Sequence, residues 1–367
     1  MRKKTKKLVF IFTAIVAFYF IGFYGVILYV DPLESFHKSF ICTKESYGDM
    51  RYNAKRIIDN NDFDSLILGS SNMAHTSSLQ ASKLFNGKFI NISLLGSNFK
   101  ERKILLDYVL TKTTPKIIIS TLDKYTIANL DALNAKQPNW DELYKQNSFK
   151  VYLNLEFISK IYKDFFSAIF NQNECHLNKN FDNAALNTPT FNSGIKFFAT
   201  QEQLIKTIAS SFDIKPIKIN NQTLRAIKEN IDQNLLNPAK KLSDTRFILL
   251  IPSYFIAFNA IDAQNKQIYP FQKEMIKYIL SSKPKNLEVY GFDNMDFTNN
   301  PDNYADLGHY TQKIDAKILE LISEKKGLLD TKNFDKYWQI GEQKAKEFDL
   351  IKFYQEIKAA QQSKSLQ

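Results

Sequence analysis

From Leu8 to Val30 the chain runs through Phe, Ile, Val and Tyr without one charged residue, and no other feature constrains its folding as much. At about 1.5 Å per residue, a helix of this length covers a hydrocarbon core of about 30 Å. Residues 8–30 therefore read as a transmembrane anchor, with membrane lipid as its partner. Arg2, Lys3, Lys4, Lys6 and Lys7 precede the run with no acidic residue among them, and Asp31 and Glu34 follow it at once. Positive charge stays on the cytoplasmic side, so residues 1–7 read as a cytoplasmic basic tail. The expectation is a single-pass protein of the cell inner membrane with an extracytoplasmic, periplasmic C-terminal domain. The run exceeds a signal-peptide core, and no small-residue cleavage site follows it before Asp31-Pro32, which favours a retained anchor.

That tail supplies nearly half of the formal net charge of +11. The remaining lysine excess is diffuse and shows no basic stretch interleaved with aromatics, so no nucleic-acid partner is expected. Cys42 and Cys175 belong to no CxxC pair, which leaves zinc-ribbon and thioredoxin-like readings without support. No metal and no cofactor is expected. An exported location permits a Cys42–Cys175 disulfide.

Between the anchor and Glu324, five short apolar runs read as strands: Ser65 to Leu68, Phe89 to Ile92, Ile117 to Ile119, Phe247 to Ile251 and Leu287 to Tyr290. Most are continuous rather than alternating, as strands covered on both faces are. Asn98-x-x-Glu101 and Ser77-x-x-Gln80 have helix-start spacing between them. The fold class expected is α/β, a doubly wound, mostly parallel, flavodoxin-like sheet over residues 31–324. Residues 124–243 change to Asn-, Lys- and aromatic-rich sequence and read as a helical cap insertion over the sheet edge, or as a second helical layer. Residues 325–367 read as a peripheral helix and polar tail.

In Leu66-Ile-Leu-Gly-Ser-Ser-Asn-Met-Ala-His75 a buried strand ends at Gly69 and delivers Ser70 and Ser71 to a turn at the C-terminal sheet edge, where open α/β sheets keep their sites. Ordinary turn chemistry would also use these residues. Near the end of the domain stands Asp306-Leu-Gly-His309. An Asp three residues before a His on one loop can hold the imidazole through Nδ1 and leave Nε2 for a serine proton. Of the four histidines, His309 alone has that arrangement.

These motifs together resemble the SGNH (GDSL-type) hydrolase superfamily over Asp64 to Ile322. They resemble in particular its membrane-anchored envelope branch, which includes acyl-transfer proteins of alginate, peptidoglycan and teichoic acid modification. The resemblance implies Ser71 as nucleophile, with Ser70 in reserve, and His309 with Asp306 as its base and orienter. It implies Gly96, in Ile92-Ser-Leu-Leu-Gly-Ser-Asn98, as an oxyanion-hole residue. One block departs from the family pattern: Leu122 stands where an oxyanion-donating Asn is usual. Asn98 is the substitute donor, although its capping-box place engages its side chain. Asp123 reads as a strand-end residue rather than a catalytic acid.

Two functions follow as expectations. The first is a membrane-anchored serine esterase or O-acyltransferase, transferring an O-acetyl group to a cell-envelope glycan, with a multipass membrane O-acyltransferase as partner. The glycan, the acetyl group and that partner come from the resemblance alone. The alternative is a non-catalytic SGNH-like envelope glycan-binding or assembly protein, which Leu122 supports.

Overall fold

A computed structural model describes residues 2–31, 36–37, 50–123, 139–145, 152, 220–265 and 269–365. The chain divides into two compact units, one of Met1–Asn60 with Gln137–Leu177 and one of Asn61–Lys136 with Asn178–Gln367.

The first unit begins with helix α1, Arg2–Val30. Its stretch Thr5–Tyr29 is long and apolar enough to cross a membrane, and Phe10, Phe18 and Ile21 stand exposed on it. A helix apolar all round and unburied by protein suits lipid. The helix stops at Asp31, whose φ of 42° leaves the helical region. The Asp31 carboxylate accepts the backbone N–H groups of Phe36 at 2.6 Å and His37 at 2.7 Å, and the Tyr152 hydroxyl donates to it as well. Helix α2, Met50–Asn60, buries Ala54, Ile57 and Ile58 and packs against a 3₁₀ turn, Asn139–Tyr144.

In the second unit the strands are β1 (Ser65–Ile67), β2 (Phe89–Asn91), β3 (Ile117–Thr121), β4 (Arg246–Ile251), β5 (Leu287–Gly291) and β6 (Leu328–Leu329). They form one sheet in the order β2-β1-β3-β4-β5-β6. All neighbours are parallel except β5 and β6. Every residue of β1 is buried, as is all of β4 after Arg246, so both sheet faces are covered and continuous apolar runs are the pattern that fits. Helices α3 (Ser78–Phe85), α4 (Phe99–Leu110), α5 (Asn221–Ile231), α6 (Asn237–Lys241), α7 (Ile256–Asn265), α8 (Tyr269–Ser282), α9 (Gln312–Ser323), α10 (Phe334–Glu347) and α11 (Leu350–Ser365) complete the unit. One core joins Ile67, Ile119, Ile248 and Tyr290 of the strands to Phe255, Ile318, Ile322 and Phe353. The chain leaves β1 toward β2 and then crosses back to β3 on the other side, so the connections diverge between β1 and β3. That divergence opens a crevice at the carboxyl ends of these two strands.

The five expected strands are present. Residues 325–367 depart from the reading of a peripheral helix and polar tail. Leu328–Leu329 add a sixth strand to β5, and α10 and α11 bury Phe334, Tyr337, Trp338, Leu350, Phe353 and Ile357. The charged residues that suggested a solvated tail occupy only the outer faces of these helices. Of the insertion 124–243, the structure describes residues 139–145, 152 and 220–243. Helix α5 packs against α4 and α8, and Asn286, just before β5, donates to the carbonyls of Ala239, Leu242 and Thr245. Residues 239–245 therefore close the amino end of the sheet, opposite the crevice, while Asn139–Tyr144 belongs to the first unit. The helical stretches expected at 153–170 and 201–211 lie outside the described residues, as do Cys42 and Cys175.

Candidate active site

The turn after β1 depends on Gly69. A Cβ there would fall 2.9 Å from both Cβ and Cγ of Met73, so only glycine lets the chain double back into the 3₁₀ turn Ser71–Met73. Gly69 N–H donates to Ser93 Oγ at 3.0 Å, and its carbonyl accepts from Leu94 N–H at 3.0 Å. The loop after β2 is thereby locked beside the serine turn.

The two serines point to different partners. Ser70 is buried, and its hydroxyl donates to Asp123 while accepting the Asn72 N–H at 3.2 Å. Ser71 Oγ lies 2.8 Å from His309 Nε2. His309 sits on a loop closed by the Tyr304–Tyr310 bridge, with Ala305 N–H donating to the His309 carbonyl at 2.8 Å. Asp306 Oδ1 shapes that loop by accepting the N–H groups of Gly308 at 2.7 Å and His309 at 2.8 Å. The imidazole Nδ1 is 2.8 Å from Asp306 Oδ2 and 3.0 Å from Oδ1. The structure thus brings Ser71, His309 and Asp306 into one chain of hydrogen bonds and sends Ser70 elsewhere.

Electrostatics follow this geometry. Burial disfavours the imidazolium of His309, but the hydrogen bond and charge of Asp306, joined by the charge of Asp123, outweigh it and raise the pKa above the ordinary 6.5. Burial works against ionised Asp306 too, yet His309 and the two backbone N–H groups hold its pKa below the ordinary 3.8.

Beneath the serine turn lies a buried ionic network. Asp123 Oδ2 accepts from Arg102 Nη2 at 2.6 Å and from Thr121 Oγ1 at 2.8 Å, and Asp123 Oδ1 accepts from Asn72 Nδ2 at 3.1 Å. Arg102 also donates through Nε to Ser97 Oγ at 2.8 Å and through Nη1 to the Thr121 carbonyl at 2.5 Å. Burial alone would raise the Asp123 pKa; the Arg102 charge and the donors around the carboxylate bring it below 3.8. Asp123 is a structural carboxylate under the serine turn.

Gly96 is exposed with φ +61°, a left-handed conformation suited to glycine, and the space where a Cβ would stand is open. Among the described residues the N–H groups of Ser71 and Gly96 have no acceptor. Asn98 caps α4: its Oδ1 accepts the Glu101 N–H at 2.9 Å, while its Nδ2 has no acceptor among the described residues. The capping role therefore occupies one end of the amide and leaves the other. Leu122 is fully buried and its N–H is spent on the Leu250 carbonyl at 2.8 Å.

Sequence reading missed Arg102, Thr121 and Asn72. The signal for Arg102 was its place among Phe99, Leu105, Leu106 and Val109, the residues that α4 buries. A cation on an apolar face needs a buried anion. Among the described residues no group of three or more His, Cys, Asp or Glu side chains is placed to hold a metal ion. No family model matches the chain, and neither a curated protein nor a solved structure matches it.

Proposed function

We propose that the chain is a membrane-anchored serine acyl-transfer enzyme, with Ser71 as nucleophile, His309 as general base and Asp306 holding the imidazole. One observation carries this reading: His309 meets Ser71 Oγ at 2.8 Å through Nε2 while Asp306 meets its Nδ1 at 2.8 Å. Serine is a weak nucleophile until a positioned base takes its proton. Ser71 Oγ attacks the acyl carbonyl carbon as its proton passes to Nε2, and Asp306 stabilises the imidazolium. The N–H groups of Ser71 and Gly96, with Asn98 Nδ2 as a third donor, receive the negative oxygen. His309 then protonates the departing oxygen, leaving the acyl group on Ser71. Water or a sugar hydroxyl, deprotonated by His309, releases that group.

The crevice position of Ser71 and the Asp306-x-x-His309 loop before α9 support the resemblance to SGNH hydrolases. From that resemblance come an envelope glycan as acceptor, an acetyl group as the transferred unit and a multipass membrane O-acyltransferase as partner. Labelling of the full chain in detergent by a serine-directed fluorophosphonate tests the chemistry. The expected adduct sits on the peptide containing Ser71 in wild type and is missing from Ser71→Ala. An inert wild type would favour the non-catalytic glycan-binding alternative, for which the buried Leu122 is the specific observation: losing one oxyanion donor costs about 100- to 1000-fold in rate.

The cations before α1 support an inner-membrane anchor with the second unit in the periplasm. Protease added to intact spheroplasts is then expected to digest that unit. Its protection would reverse the orientation, and a mature N-terminus beginning after Val30 would make α1 a cleaved signal.

A further inference from the structure

The segment between the Ser71 turn and α3 is fastened at a second point that the chemistry above leaves unused. Thr76, 2 % exposed, donates its hydroxyl at 2.8 Å to Oδ1 of Asp315, which is 5 % exposed in the first turn of α9. Close by, Gln80 Nε2 donates to the Ala316 carbonyl at 3.2 Å. On the other side Asn91 Nδ2, at the end of β2, donates to the carbonyls of Met73 at 2.8 Å and Thr76 at 2.9 Å. Residues 73–76 are therefore held between β2 and the very helix that the His309 loop enters.

We propose that the Thr76–Asp315 contact is a latch that sets the reach between Ser71 and His309, with Asp315 a positioning residue of the site. The inference rests on the triad reading above. A buried carboxylate met by one hydroxyl is a costly way to join two elements, since an apolar pair would do so without desolvating a charge. What the carboxylate adds is a contact whose strength follows pH. Burial lifts the Asp315 pKa to about 7, opposed by the bond from Thr76. The segments packed about it carry His75 and Lys83 toward α3, His309 and Tyr310 on the loop, and Lys313, Lys317 and Glu320 on its own helix, but burial and the Thr76 bond alone set its shift. Tyr310, whose buried hydroxyl has no partner among the described residues, is raised first by burial and then by the charges of Asp315 and Asp123.

Below about pH 7 the latch is a neutral hydrogen bond; above it the carboxylate is charged yet desolvated, which weakens the closed latch relative to an opened one in which the charge meets water. Stability follows the same sign. The folded pKa of about 7 exceeds the ordinary 3.8, so the contribution of Asp315 to stability is fully present below 3.8 and lost as pH rises through about 7. Asp315→Asn removes that dependence.

The test compares full-length wild type, Asp315→Asn, Thr76→Val and Thr76→Ser in detergent by fluorophosphonate labelling and by deuterium exchange of residues 71–77. Wild type and Asp315→Asn are expected to label and exchange alike near about pH 5.5 and to diverge about tenfold near about pH 8.5, where wild type is the slower to label and the faster to exchange. Because His309 titrates in both proteins, it cancels from that ratio. Thr76→Val, which removes the bond in both protonation states, should speed exchange at both pH values, and Thr76→Ser should restore wild-type behaviour. Wild-type labelling and exchange in both Asp315→Asn and Thr76→Val would overturn the latch. If wild type takes no label at any pH, the triad reading falls. Exchange then decides the latch: pH-dependent loosening of residues 71–77 sustains it, and unchanged exchange removes it.

Discussion

Alanine at Ser71 or at His309 is expected to lower turnover of an aryl acetate by the full chain about 10⁴- to 10⁶-fold, and the double variant should be hardly worse than either. The non-additivity is the informative part. Nucleophile and base perform one proton-coupled attack, so once either is missing the other has nothing left to contribute. Asp306→Asn should lose about 10⁴-fold, because an amide that donates to Nδ1 imposes the wrong tautomer on His309. In wild type the rate should rise with pH and level off above a midpoint higher than 6.5, since Asp306 and Asp123 favour the imidazolium and only the neutral ring can accept the proton. Ser70→Ala should act mainly through Asp123, weakening the turn and leaving measurable activity. Turnover at wild-type level in Ser71→Ala and His309→Ala would remove the triad.

The second large effect concerns stability. Arg102→Met leaves the Asp123 carboxylate buried without its cation, and breaking such a pair from one side costs about 3–5 kcal/mol. Urea unfolding of the full chain in detergent measures it, and the pH dependence supplies a second readout. In wild type the lowered Asp123 pKa makes its contribution present above 3.8 and lost as pH falls through the folded value. Without Arg102, burial dominates and the sign reverses, so the variant should gain stability toward acid. Arg102→Met/Asp123→Asn should recover much of the loss, because no charge then remains to be desolvated. A single variant as stable as wild type at every pH would show that Asp123 is not held by this pair.

How much of this the sequence disclosed depended on the range of the interactions. Continuous runs such as Phe247 to Ile251 announce buried parallel strands because burial on both faces leaves no room for polar alternation. Gly69-Ser70-Ser71 and Asp306-x-x-His309 were legible as local geometry, one a strand-to-helix turn and the other a carboxylate closing its own loop. The choice between Ser70 and Ser71 was not, because it turns on Asp123 and His309, which approach from distant segments. Leu328–Leu329 was too short to carry a period, and its pairing with β5 is a tertiary matter, with Leu329 and Tyr337 both lying against Gly291. Asp315 and Thr76 look like ordinary surface residues of a helix and a turn, and only the packing of α3 on α9 makes them buried partners.

The bond between Ser71 and His309 spans 238 positions of sequence, and the sheet that supports it is completed only by β6 and the two helices that follow. On the triad reading, a growing chain therefore presents its serine long before its base can reach it, and fragments ending ahead of His309 are expected to be chemically silent. Until β6 arrives, β5 also offers a row of unpaired backbone groups that another chain can take up. Premature termination would thus yield sticky protein, and non-local parallel pairing of this kind makes the vulnerable interval long.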